Sequence, residues 1–89
     1  MKHTWTIEED KFTYYLYLSN KNNIEKLRDF AKKMGIEEGT LRMRIKNFEY
    51  LDTNKSGLKN YAKQSKQVYL EFKNNPQKYK EFIQENNLS

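Results

Sequence analysis

The sequence predicts an all-α protein, and three observations carry that prediction. No segment sustains the apolar–polar alternation of a half-buried strand. Apolar residues recur instead at helical spacing, as in Ile24, Leu27, Phe30, Ala31 and Met34, or Leu41, Ile45 and Phe48. Capping residues stand where such segments should start and stop: Thr6 with Glu9, Asn22 or Asn23, Gly35 and Pro76.

The first helix is expected over about residues 7–18. It opens within the stretch Trp5-Thr6-Ile7-Glu8-Glu9-Asp10. Thr6 and Glu9 have the spacing of a capping box, in which each side chain satisfies a backbone N–H orphaned at the helix start. The three acids suit the positive end of the helix dipole, and Trp5 stands where a hydrophobic staple would. Phe12, Tyr15 and Leu16 form the inner face, and the polar cluster at 19–23 breaks the helix. A second helix starts after Asn22 or Asn23 and runs to Met34, with Gly35 at the position that favours a left-handed backbone. A third begins near Glu38 and extends to about Leu51. The run Asp52-Thr53-Asn54-Lys55-Ser56-Gly57 reads as a turn cluster, leading to a fourth helical region at roughly 58–74 with Tyr61, Ser65, Val68 and Phe72 on one side. Pro76 suits the first turn of a last short helix, whose apolar side is Tyr79, Phe82 and Ile83.

A chain of 89 residues is expected to form one domain, 1–89, with a three-helix core over 1–52 and a helical extension over 53–89. Hydrophobic residues make up 36% and aromatic residues 15%, so the core is built from a few large rings and aliphatics. That aromatic content argues against disorder. There is no cysteine, hence no disulfide framework and no thiolate metal site, which fits a reducing cytosol. No apolar run is long enough for a signal peptide or a membrane span, so a cytoplasmic location away from membranes is expected. The Met1 start without a tag suggests a complete small protein. The net charge of +5 is uneven: residues 1–38 balance seven basic against seven acidic side chains, whereas residues 39–89 carry ten basic against five acidic. A localised positive face is the electrostatic footprint of a nucleic-acid binder. A solvated Lys-rich surface would give the same total.

The segment Phe30-Ala-Lys-Lys-Met-Gly-Ile-Glu-Glu-Gly-Thr-Leu41 reads as helix, tight glycine turn, apolar plug at Ile36, then a new helix, which is a candidate helix-turn-helix. With Leu41, Ile45 and Phe48 facing inward, Gly39, Thr40, Arg42, Met43, Lys46, Asn47 and Tyr50 are expected to point away, and Arg44 to stand at the border within reach of a phosphate. That outer face offers a guanidinium for guanine, an amide for adenine and a methyl-bearing Thr for thymine. No acid interrupts it between Gly39 and Phe48. The expected base-contacting residues are Thr40, Arg42, Met43, Lys46 and Asn47. Arg44, Lys55, Lys59 and Lys63 are the expected phosphate contacts, with Lys66 beside them. Glu37 and Glu38, at the start of the same helix, should repel phosphates there.

Catalysis finds no support. The one histidine, His3, stands at a terminus, and no carboxylate pair, Gly-rich loop or Ser/His/Asp set has catalytic spacing. No metal or cofactor is expected. Tyr14, Tyr17, Tyr50 and Tyr61 are too many for the interior of so small a fold, so some are expected at an interface.

The opening Trp-Thr-Ile-Glu-Glu-Asp before a three-helix unit resembles the Myb/SANT-like family, with Leu27 and Ile45 or Phe48 where that family places further tryptophans. The segments from Leu41 to Asp52, then Gly57-Leu-Lys-Asn60, then Val68-Tyr-Leu-Glu-Phe72 also resemble a domain found ahead of the catalytic part of bacterial HNH endonuclease-like proteins, with Tyr69 in place of a Trp. The resemblance implies a Myb-like helix-turn-helix followed by one or two C-terminal helices. It implies a DNA-targeting module carried by Met43, Arg44, Asn47 and Phe48, and the chain stops where a nuclease part would begin. The expected partner is double-stranded DNA, in a small regulator of the phage or mobile-element type. A homodimer through the C-terminal helix would extend the site read. The alternative is a protein-binding adaptor or inhibitor, such as a phage anti-defence protein acting on a nuclease complex, with tyrosines and Met43 as anchors.

Overall fold

A computed structural model describes residues 3–20, 22–53 and 62–88. It contains five helices in the order α1 (Ile7–Asn20), α2 (Ile24–Met34), α3 (Glu38–Thr53), α4 (Lys63–Asn74) and α5 (Pro76–Glu85), and no strand among the described residues. The expected all-α class and its element order hold. Expectations that fall on residues 54–61, including Gly57, Tyr61 and the start of the fourth helical region at 58, lie outside the described residues.

Helix starts and stops follow local chemistry. The Thr6 N–H donates to Glu9 Oε1 at 2.9 Å and the Glu9 N–H to Thr6 Oγ1 at 3.1 Å, the reciprocal pair that the sequence predicts. Asn23 caps α2 by accepting from the Lys26 N–H at 3.1 Å. At the other end Gly35 is left-handed, with φ 72°. Its N–H donates to Lys32 O at 3.1 Å while the Ile36 N–H donates to Ala31 O at 3.0 Å, and Ile36 packs on the core beside Ala31. This is a Schellman closure. α5 ends the same way, with Asn87 at φ 54° and the Leu88 N–H donating to Ile83 O at 3.0 Å. That turn carries Leu88 back onto the core, where its carbonyl accepts from Tyr15 OH at 3.2 Å.

α1 is the central element. Five consecutive residues, Thr13 to Tyr17, are buried, more than one full helical turn. A helix with water on one side could not bury such a run, and α1 indeed packs against α2, α3 and α4. Phe12, Tyr15 and Leu16 account for only part of its inward surface. Leu27 and Ala31 of α2, Leu41, Ile45 and Phe48 of α3, Val68, Tyr69 and Phe72 of α4, and Phe82 of α5 complete one cluster. Tyr14 sits among Phe48, Tyr69, Phe72 and Tyr79, with ring centroids 5.4 to 6.1 Å away.

Two expectations are corrected here. Tyr14 and Tyr17, expected in part at an interface, are interior: Tyr14 packs as a ring among other aromatic rings, and the Tyr17 phenol has a polar place to end. Tyr17 OH donates to Asp52 Oδ2 at 2.8 Å and Tyr69 OH donates to Asp52 Oδ1 at 3.1 Å. The same hydroxyls explain why α3 continues past Leu51 through Thr53: Asp52 is a helical acceptor tying α3 to α1 and α4, not a turn residue. The apolar side of α5 also lies on the core, with Phe82 buried and Tyr79 and Ile83 packed against the cluster.

Candidate nucleic-acid interface

The stripe that orients α3 is as expected: Leu41, Ile45 and Phe48 are all buried. Opposite them Gly39, Thr40, Arg42, Met43 and Lys46 are exposed, Arg42 by 44% of its side chain and Met43 by 52%. Arg42, Met43 and Lys46 border an open groove of about 570 Å³. Leu27 and Ile45 contribute apolar surface to it, and Asn22, Gly39 and Glu49 also line it. An added Cβ at Gly39 would meet nothing within 4 Å, so the helix backbone is approachable there. Two cations beside an exposed thioether can hold an anion against a small apolar surface.

Asn47 is not part of that face. It is 6% exposed, donates through Nδ2 to Met43 O at 3.2 Å, and accepts at Oδ1 from the Ala62 N–H at 2.8 Å. Ala62 is the N-cap of α4 and has no side-chain acceptor to offer its own helix, so the Asn47 amide anchors the chain as it enters α4. Removing that amide buries an unpaired backbone donor. Asn47→Ala is therefore expected to lower stability by about 1–3 kcal/mol, read by chemical denaturation, at unchanged α3 surface charge.

Arg44 is not available to a phosphate either. Its Nε and Nη2 donate to Asp10 Oδ1 and Oδ2 at 2.8 and 2.7 Å, and its side chain is 13% exposed. Its guanidinium carbon lies 4.7 Å from the centre of the Trp5 ring. Asp10 is fully buried and accepts two further bonds, from Gln64 Nε2 at 2.8 Å and Ser65 Oγ at 3.1 Å. Gln64 Nε2 also donates to Trp5 O at 3.0 Å. Asp10 is thus a junction of α1, α3 and α4 rather than an acid serving the helix dipole. Trp5 is held by Arg44, since the position a hydrophobic staple would pair with is Asp10 itself.

Lys63 is exposed in the first turn of α4. Lys55 and Lys59 lie outside the described residues. A further cation, with no place on the α3 face by helical spacing, joins it: Arg28 of α2 donates from Nε to Glu38 Oε1 at 3.3 Å, while Arg42 Nε donates to Glu38 Oε2 at 3.1 Å. Their fourteen-residue separation hides the pairing from helical-period arguments. Among the described residues no three His, Asp or Glu side chains gather closely enough to hold a metal ion, and no helix is long and apolar enough to cross a membrane. Comparison of the chain with protein-family models, curated proteins and solved structures returned no match.

Proposed function

We infer that the protein binds double-stranded DNA, with α2, the Gly35 turn and α3 acting as a helix-turn-helix of Myb-like arrangement and α3 entering the major groove. The observation that carries this reading is the exposed side of α3, where Thr40, Arg42, Met43 and Lys46 stand together opposite the buried Leu41, Ile45 and Phe48. Arg42 can pair with guanine, and the methyl-bearing Thr40 and Met43 can meet thymine. Lys63, exposed in the first turn of α4, would contact a phosphate, and Lys55 and Lys59 extend the set in sequence. Asn47 and Arg44 are excluded from it, being committed to the fold.

Affinity for a duplex should fall steeply with salt, at a slope near −0.9 per phosphate contacted. Arg42→Ala should cost about 1–3 kcal/mol at a preferred site and relax specificity, whereas Lys63→Ala should weaken all sequences alike. Fluorescence anisotropy over a salt series measures both. Salt-independent or absent duplex binding would remove this reading. It would favour a protein-binding adaptor instead, for which the exposed Met43 at the groove is the supporting observation.

A further inference from the structure

Glu37 and Glu38 open α3, and acids at that end should keep phosphates away from it. The contacts of Glu38 argue otherwise. Its carboxylate accepts from Arg28 Nε at 3.3 Å through one oxygen, and from Arg42 Nε at 3.1 Å through the other, with Arg42 Nη2 at 3.0 Å. One acid therefore gathers two guanidiniums, from α2 and α3, and neutralises only one of the two charges. Each guanidinium carries five N–H donors, of which Glu38 takes the Nε–H of each, with Arg42 Nη2 within ion-pair distance. Arg28 is 70% exposed and Arg42 44%.

We propose that Arg28 and Arg42, bridged by Glu38, form a two-guanidinium site for a single backbone phosphate, an inference that rests on the nucleic-acid reading of α3. Planar forks suit a tetrahedral phosphate better than a point charge does, because each can give two parallel N–H bonds. Side by side, two free arginines repel and sample many rotamers. Bonded to the two oxygens of one carboxylate, both are tethered to a single point before any ligand arrives, so less ordering remains for binding to impose. Glu38 is then a positioning residue, and Arg28 a phosphate contact on α2 that fixes the register of α3. Arg42 is then a phosphate contact in place of a guanine reader, so Arg42→Ala weakens all sequences alike, and the bases are left to the exposed Thr40, Met43 and Lys46 beside it.

The test uses a 20-base-pair duplex of random sequence, titrated by fluorescence anisotropy across salt. The variants are Arg28→Ala, Arg42→Ala, the double, Glu38→Gln and Lys46→Ala. Melting curves should stay close to wild type, since Arg28, Arg42 and Lys46 are exposed and Glu38 is part-buried at the surface. If both arginines hold one phosphate, each single change weakens binding several-fold, the double is little worse than either, and the double lowers the salt slope by about 0.9. Glu38→Gln makes the face more positive, which by charge alone would tighten binding. A positioning role makes it weaken binding instead. The proposal is overturned if Arg28→Ala leaves affinity and slope unchanged, if the double lowers the slope by about 1.8, or if Glu38→Gln tightens binding. Its failure differs from failure of the DNA reading: in the latter, wild type shows no salt-dependent binding and Lys46→Ala changes nothing.

Discussion

Asp10→Ala is expected to destabilise the protein by about 3–5 kcal/mol, the loss that follows when one partner of a buried ion pair is removed. The carboxylate is fully buried, and its four donors are Arg44 Nε and Nη2, Gln64 Nε2 and Ser65 Oγ. Deleting it strands a guanidinium that is 13% exposed and cannot reach bulk water without leaving the Trp5 ring. In a domain of this size each kcal/mol moves Tm by about 4–8 °C, so the melting point should drop by at least about 12 °C. Glu8→Ala is the control. Glu8 is exposed in the same helical turn, and an acid there helps only through the dipole, for about 0.3–1 kcal/mol. Equal losses for the two variants would refute the junction and restore the helix-start account of all three acids.

Arg44→Ala should be similarly damaging, because it leaves an uncompensated carboxylate in the interior. The double variant Asp10→Ala/Arg44→Ala should lose less than the two singles together, since neither charge then remains to be stranded. The consequence reaches function: loss of DNA binding in an Arg44 variant would report unfolding, not a missing phosphate contact. Arg42 and Lys46 are the residues whose replacement tests binding at constant fold.

What the sequence made legible was whatever local chemistry decides. The Thr6–Glu9 box, the Asn23 cap, the left-handed Gly35 and the stripe of Leu41, Ile45 and Phe48 each depend on residues within one or two turns. What it hid depends on partners far along the chain. Arg44 and Asp10 are 34 residues apart, and Asn47 reaches Ala62 over 15. Helical angles place Arg44 at the border of α3 and Asn47 on its outer face. Only the packing of α1 and the entry to α4 turn those two positions into interior. The burial of tyrosine is hidden for a related reason. Its ring is as large an apolar body as phenylalanine, and its hydroxyl bars it from a core only where no acceptor is near. Asp52 and the Leu88 carbonyl supply acceptors that no periodicity reveals.

The tyrosines around Asp52 make folding sensitive to alkali. Burial is the main cause that raises Tyr14, Tyr17, Tyr69 and Tyr79 above the ordinary 10.0, and the charge or hydrogen bond of Asp52 raises the first three further; Tyr79 is pushed up to about 12. A folded-state pKa above the unfolded value favours the protonated phenol in the fold. That stability is fully present below pH 10 and is lost as pH rises through the folded values, because the unfolded chain releases its protons first. Each such group can contribute at most about 1.4 kcal/mol per pH unit. The fold should therefore lose stability progressively as pH rises above 10. Tyrosinate absorbance and far-UV circular dichroism should change together there, with four of the seven tyrosines ionising only as helix is lost. Asp52→Asn separates the causes. It removes the carboxylate that opposes ionisation of Tyr14, Tyr17 and Tyr69, so those phenols should titrate nearer their ordinary value. It also removes a dependence at the other extreme. Burial raises the Asp52 carboxyl, but bonds from Tyr17 and Tyr69 and the Lys73 ammonium outweigh it and hold the group below its ordinary 3.8. Its contribution is thus present above that value and lost as pH falls beneath it, a loss the Asn variant should not show. A tyrosinate titration in which all seven rings ionise near pH 10 with the helices intact would refute the phenol–carboxylate cluster.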